Sequence, residues 1–155
     1  MKVGQAAPEF TAPNQLGETV QLEDFDDRWL ILYFYPKDNT PGCTTEAIEF
    51  TSKLAQFQSL NAQVIGISPD SVTSHAKFIT KHNLETILLS DPDHQIADQY
   101  AVWQLKKFMG KEYMGIVRST FLIDPNQTIV QIWSNVRVKN HVDHVLTQLK
   151  QLQQV

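Results

Sequence analysis

The sequence holds one cysteine, Cys43, among its 155 residues. An internal disulfide is therefore excluded, and the fold must rest on its core. Long apolar runs are also missing. The longest, Trp29 to Tyr35, has the length of a strand and falls far short of the roughly 20 residues a membrane-spanning helix needs. Charge of one sign is nowhere gathered: 13 Lys and Arg stand against 17 Asp and Glu, a net charge of −4. Adjacent basic residues occur once, at Lys106 and Lys107. Electrostatic binding of nucleic acid needs a basic surface that displaces counterions from phosphate, so neither nucleic acid nor a membrane is an expected partner. The opening residues Met1 to Gln5 lead straight into polar, Pro-containing sequence without an apolar signal segment, and a cytoplasmic, reducing compartment is expected.

What the chain does have is an ordinary globular composition, 42% hydrophobic and 19% charged. At this length folding removes roughly 70% of the unfolded surface from water, so residues 1–155 are expected to form one domain. After a loop-rich start, with a short edge strand over Thr19 to Leu22, the run Trp29 to Tyr35 ends at Pro36 and reads as a central strand covered on both faces. Ala47, Phe50, Leu54 and Phe57 follow at helical spacing, and Gln63 to Ser68 forms a second buried strand. Strand, helix and strand in that order make a right-handed βαβ unit. A helix over Ser71 to Lys81 with Val72, Ala76 and Ile79 inward, a strand at Thr86 to Leu89 and a short helix at Gln95 to Tyr100 come next. A β-hairpin spans Ser119 to Trp133 around Asp124 Pro125 Asn126, and an amphipathic helix spans His141 to Gln151. The class is α/β with an antiparallel edge.

Cys43 lies where a buried strand gives way to a helix, the end of an open α/β sheet at which ligand sites fall. Thr40 suits the N-cap and Pro41 the first helical position, which puts Cys43 third in the helix. Free backbone N–H groups and the positive end of the helix dipole favour a thiolate there. A cysteine chosen only for packing, the usual reason for a lone one, has no need of this location. His141 and His144 stand three apart on a helix. That spacing allows two metal ligands, but nothing nearby completes a site, and a solvated helix face is the plainer reading, so no metal or cofactor is expected. Trp103, Phe108, Met109 and Tyr113 either form an apolar collar around a pocket or serve ordinary packing.

Pro36, Thr40 and Cys43 reproduce the P-x-x-x-T-x-x-C signature, and in this the chain resembles the peroxiredoxins, thiol peroxidases on a thioredoxin-like scaffold. The resemblance runs almost end to end. Ala7 to Phe10 is similar to the family's N-terminal A-P-x-F. Thr40 to Glu46, Tyr100 to Trp103 and Met109 to Lys111 look like the bacterioferritin comigratory protein, or peroxiredoxin Q, branch. Arg118 to Asp124 matches the segment that carries the active-site arginine. The resemblance implies a central mixed sheet flanked by helices, preceded by the family's N-terminal extension. It also implies roles: Cys43 as nucleophile, Thr40 and Arg118 as activators, and Pro36 as a shield against solvent. Glu46 either orients the arginine or complements the helix start, and Arg118 has a structural ion pair as its alternative role. Gly42, Trp103 and Phe108 would border the substrate pocket.

A magnitude shows why donors matter beside the sulfur. For a thiol whose pKa falls from about 8.5 to about 6, the thiolate fraction at neutral pH rises roughly thirtyfold. Intrinsic nucleophilicity falls roughly tenfold over the same shift, and little is gained. Most of the acceleration must come from donors aimed at the departing peroxide oxygen. Arg118, Thr40 and the backbone N–H groups near Gly42 and Cys43 are the candidates.

The chain departs from the branch it resembles at Ile48, where many members carry a second cysteine five residues after the first. A one-Cys peroxidase is expected, acting on hydrogen peroxide and alkyl hydroperoxides through a Cys43 sulfenic acid. An external thiol, glutathione with glutaredoxin or a thioredoxin, would regenerate it, in a monomer or weak homodimer. Two other classes fit a single reactive thiol: a peroxide sensor or redox-regulated binding protein, and a thiol-disulfide oxidoreductase, which normally needs C-x-x-C.

Overall fold

The computed structural model describes residues 1–154. Two three-residue strands, β1 (Thr11–Pro13) and β2 (Thr19–Gln21), pair antiparallel as a ribbon of their own. The short strand expected at Thr19 to Leu22 is therefore present, in a ribbon separate from the main sheet. A 3-10 turn at Leu22–Phe25 leads into β3 (Trp29–Phe34), the middle strand of a five-stranded sheet. Helix α1 (Pro41–Ser59) crosses to β4 (Ala62–Ser68), and α2 (Val72–His82) to β5 (Ile87–Ser90). Both steps join parallel neighbours, as a strand–helix–strand crossover must. After α3 (Gln95–Gln99), β6 (Trp103–Phe108) and β7 (Lys111–Ile116) form a separate hairpin. Strands β8 (Ser119–Ile123) and β9 (Ile129–Trp133) close the other edge antiparallel, and α4 (His141–Gln153) ends the chain.

Strand β3 explains the layering. Its side chains alternate between two cores, with Leu30, Leu32 and Phe34 in one and Ile31 and Tyr33 in the other. That is why the run reads as continuously apolar rather than alternating. Phe50, Phe57, Phe78, Val145 and Leu149 from α1, α2 and α4 pack on the second face, and α3 and the N-terminal ribbon cover the first.

Two expectations need correction. The inward face of α2 is centred on His75 and Phe78, both with no exposed surface, while Val72, Ala76 and Ile79 are only half-buried beside them. His141 is buried rather than on a solvated face, its Nε2 bonded to the Thr120 hydroxyl at 2.8 Å. Its neighbour His144 is exposed and accepts from the Trp133 indole at 3.2 Å. The hairpin at residues 103–116 was legible only as scattered aromatics. Its two-residue turn, Met109 and Gly110, has φ of 50° and 79°, the left-handed geometry that matches the twist of paired strands.

Candidate active site

Helix α1 carries an inward stripe of Cys43, Glu46, Ala47, Phe50, Leu54 and Phe57. The helical period that buries the core residues thus brings Cys43 and Glu46 inward in the first two turns. Thr40 takes the N-cap position with extended backbone (φ −83°, ψ 152°), followed by Pro41 at the first helical position. Its side chain does not cap the helix. Instead the Thr40 hydroxyl donates to the Lys37 carbonyl at 2.9 Å, inside the loop that joins β3 to α1.

Arg118, in the short link between β7 and β8, reaches across to both inward groups. Its Nη1 donates to Glu46 Oε1 at 2.7 Å and its Nη2 to Cys43 Sγ at 3.2 Å. Cys43 is 2% exposed and Glu46 fully buried. The Arg118 carbonyl is itself held by the Val136 N–H at 2.9 Å. Gly42 makes room for this arrangement, since a Cβ at that position would lie 3.2 Å from Nη2. The structure therefore brings Cys43, Glu46, Arg118 and Gly42 together.

The electrostatics follow from burial opposed by pairing. Burial pushes the Glu46 carboxyl up to about 7 against the pull of the Arg118 guanidinium. Burial would lower Arg118, but the negative charge of Glu46 and of Cys43 raises it above its ordinary value. Among the described residues Glu46 Oε2 has no hydrogen-bond partner, so the carboxyl is tied down through one oxygen only.

A second buried network, not anticipated from the sequence, grips the loop before Thr40. Asp38 accepts from the Tyr35 hydroxyl at 2.6 Å and the Ser74 hydroxyl at 2.8 Å, and bonds His75 Nδ1 at 2.7 Å. Its own N–H donates to Asp70 Oδ2 at 2.8 Å. Burial would push the Asp38 carboxyl up, but the bonds from His75 and Tyr35 outweigh it and hold it below the usual carboxylate range. Asp38, Asp70 and His75 offer the one set of side chains among the described residues that could hold a metal ion. Their donor atoms are already engaged by one another and by Tyr35, Ser68 and Ser74.

Trp103 and Phe108 do not border the cysteine. Trp103 is half-buried and stacks on His94 at 4.1 Å, and Phe108 is 65% exposed near the hairpin tip, with Met109 and Tyr113 exposed beside it. The opening next to Arg118 is lined by Pro36, Gln104, Lys106 and Lys107 instead. Among the described residues, Trp103, Phe108, Met109 and Tyr113 do not line this opening.

An α/β sheet with a cysteine in the first turn of the helix after its central strand, held by an arginine, is the arrangement of a thiol-dependent peroxidase on a thioredoxin-like fold. Residues 3–132 match the AhpC/TSA family. The chain is 49% identical over 152 residues to peroxiredoxin Bcp of Bacillus subtilis (strain 168), covering 98% of this chain and 97% of that one. The crystal structure of a Cys-to-Ser mutant of Xylella fastidiosa PrxQ superposes with a TM-score of 0.94 at 39% identity, covering 99% and 98% of the two chains. The bacterioferritin comigratory protein of Xanthomonas campestris, solved in a study of its alkyl peroxide reduction activity, has a TM-score of 0.87 at 40% identity and covers 91% and 90%. The chain belongs to the AhpC/TSA family and, within it, to the Bcp/PrxQ peroxiredoxins.

Proposed function

We propose that this protein reduces hydrogen peroxide and alkyl hydroperoxides through Cys43 and relies on an outside thiol to complete each cycle. The observation that carries the reading is the guanidinium of Arg118, which joins Cys43 Sγ to the carboxyl of Glu46. The Cys43 thiolate attacks the distal oxygen of the peroxide, forming an S–O bond as the O–O bond breaks. Sulfur is oxidised to sulfenic acid, and the other oxygen leaves as water or an alcohol once protonated. Negative charge grows on that oxygen, and Arg118, which cannot lose its proton near neutral pH and already donates to the sulfur, is placed to donate to it. Thr40 keeps lone pairs free to accept the proton of an incoming hydroperoxide while its own proton stays on Lys37. Glu46 acts as a positioning residue for the guanidinium, and Pro36 keeps bulk water from the sulfur.

Alkyl hydroperoxides find support in the Xanthomonas campestris relative and its alkyl peroxide reduction. The sequence supports the outside thiol: Cys43 is the only cysteine, so no second sulfur within the chain can resolve the sulfenic acid. Peroxide-dependent oxidation of dithiothreitol, counted as turnovers per Cys43, tests the reading. Many turnovers are expected; one oxidation per molecule with no recycling by any thiol would mean a sensor instead.

A further inference from the structure

A cleft of about 550 Å³ opens beside Arg118, between the β6–β7 hairpin and the loop that follows β9. Pro36 and Arg118 line it together with Lys106 and Lys107 from the hairpin and Ser134 and Asn135 from the loop. Among the described residues three cations line it and no carboxylate does, in a chain whose net charge is −4. Such a concentration of one sign in a cleft focuses the field on an incoming ion.

The cations are poorly balanced from within. Lys106 Nζ donates to the Ile116 carbonyl at 2.8 Å and, among the described residues, pairs with no carboxylate. Burial and then the charge of Arg118 pull its ammonium below the usual lysine range, while Cys43 draws it upward. Lys107 is 75% exposed and meets Glu112 only at 3.6 Å, a contact of the kind worth little. Arg118 has Glu46, but that carboxyl is engaged in the interior. An anion entering the cleft would relieve the repulsion between Arg118 and Lys106.

We propose that this cleft receives the thiol that regenerates Cys43, and that it selects a small thiol bearing a carboxylate. This rests on the external-thiol reading above. The peroxide step gives little reason for such a cleft: hydrogen peroxide is neutral and only two oxygens long, and a lining rich in cations and amides does not suit the apolar chain of an alkyl hydroperoxide. The regenerating thiol has to be held while its sulfur reaches one that is 2% exposed. A carboxylate on Lys106 or Lys107 tethers it there, and the hydroxyl of Ser134 and the amide of Asn135 supply further hydrogen bonds. The thiolate attacks the sulfenic sulfur, an S–S bond forms, and the departing hydroxide takes a proton to leave as water. A second thiolate then attacks the outer sulfur, releasing the Cys43 thiolate and a small-molecule disulfide. Two thiols are oxidised for each peroxide reduced.

The test is a single-turnover measurement on the full chain. Cys43 sulfenic acid is made with one equivalent of hydrogen peroxide and mixed with glutathione or with glutathione diethyl ester, and mixed-disulfide formation is timed by quenched mass spectrometry at equal thiolate concentration. Glutathione should react about tenfold faster than its ester at low ionic strength, and the ratio should fall towards one as salt screens the cleft. Lys107→Glu, a change at an exposed position that leaves the fold intact, should cut the ratio severalfold, and Lys106→Met should do the same where it folds. Because the ratio is taken within each variant on preformed sulfenic acid, changes in the peroxide step cancel. Equal rates for the two thiols, or a ratio that Lys107→Glu leaves untouched, would overturn the proposal. So would a charge preference confined to carboxylate-bearing hydroperoxides in the oxidation step, which would assign the cleft to the peroxide. Failure of every thiol, dithiothreitol included, would instead strike at the external-thiol reading on which the proposal rests.

Discussion

His75 and Asp38 form a fully buried ion pair, Nδ1 to Oδ2 at 2.7 Å, with side chains 0% and 1% exposed. The other ring nitrogen of His75 faces the Leu89 carbonyl at 3.0 Å. A carbonyl and an ionised carboxylate only accept, so both ring nitrogens donate and the ring carries the charge that balances Asp38. The pair fastens the loop leading to Thr40 and Cys43 onto α2 and β5. His75→Ala would leave the Asp38 carboxylate buried without its partner, at a cost of about 3 to 5 kcal/mol. We expect a loss of that size in urea denaturation. Asp38 is held below its unfolded value, so its stabilisation is complete above roughly pH 4 and is lost as pH falls through the lowered folded value. The variant should therefore lose less on strong acidification than the parent.

Arg118→Met should separate the two uses of the arginine. Reaction with peroxide needs a donor on the departing oxygen as well as a thiolate, whereas alkylation by iodoacetamide needs the thiolate alone. Loss of one preorganised donor costs about 10² to 10³ in rate, and we expect a slowing of that order with hydrogen peroxide but a much smaller change in alkylation. Stopped-flow measurement of both rates decides it: equal slowing would place Arg118's effect entirely on sulfur ionisation. Cys43→Ser should abolish turnover outright.

Glu46 sharpens this through pH. Its carboxyl protonates near 7, so below that value the parent already holds a neutral group against Arg118. Glu46→Gln keeps the volume and an acceptor for Nη1. The peroxide rates of parent and variant should agree near pH 5.5 and diverge as pH rises through about 7, with the parent severalfold faster above it. A difference independent of pH would mean that the carboxylate charge does not position the guanidinium.

Much of this centre is visible in the chain before folding. The run Trp29 to Tyr35 announces the central strand because both its faces are covered, and Thr40 with Pro41 announces the helix start that places Cys43. Arg118 stands 75 residues from Cys43 in sequence, and only the family resemblance linked them. The Asp38–His75 pair was hidden for a different reason. A polar residue on a helix reads as surface unless its partner is known, and here the partner is 37 residues away; the same logic hid His141 behind Thr120. The β6–β7 hairpin was missed because most of both faces meets solvent, which removes the alternation that marks a half-buried strand.

Two buried groups should leave opposite marks on the pH dependence of stability. Burial, then the charges of His144 and Arg118, pull the His141 imidazole down to about 4. The unfolded chain binds that proton first, so acidification from about 6.5 to 4 costs the fold on the order of 2 to 3 kcal/mol. Glu46 runs the other way. Its folded value of about 7 lies above the unfolded one, so its contribution is complete below about pH 4.5 and is lost as pH rises towards 7, by a similar amount. The parent should therefore show nearly level stability between pH 4.5 and 6.5. Urea denaturation across that range should show His141→Asn gaining stability on acidification and Glu46→Gln losing it.

The single sulfur dictates what happens when peroxide arrives without a reductant. The sulfenic acid on Cys43 has no thiol within the chain to condense with, so it persists until an outside thiol or a second peroxide molecule reaches it. Timed intact-mass spectra should show a gain of one oxygen followed by two, the sulfinic acid, with no intramolecular disulfide. Glutathione added before the second oxidation should divert the product to a mixed disulfide. Because Cys43 is 2% exposed in the first turn of α1, that diversion depends on fraying of the helix start, which helix termini undergo at little free-energy cost. Ile48→Cys offers the contrast. It places a second sulfur about 1.4 turns further along the same helix, exposed where the helix start must open towards it. This variant should form an internal disulfide within one peroxide equivalent and resist the second oxidation. If the parent instead accumulated a dimer linked through two Cys43 residues, the regenerating sulfur would come from another copy of the chain.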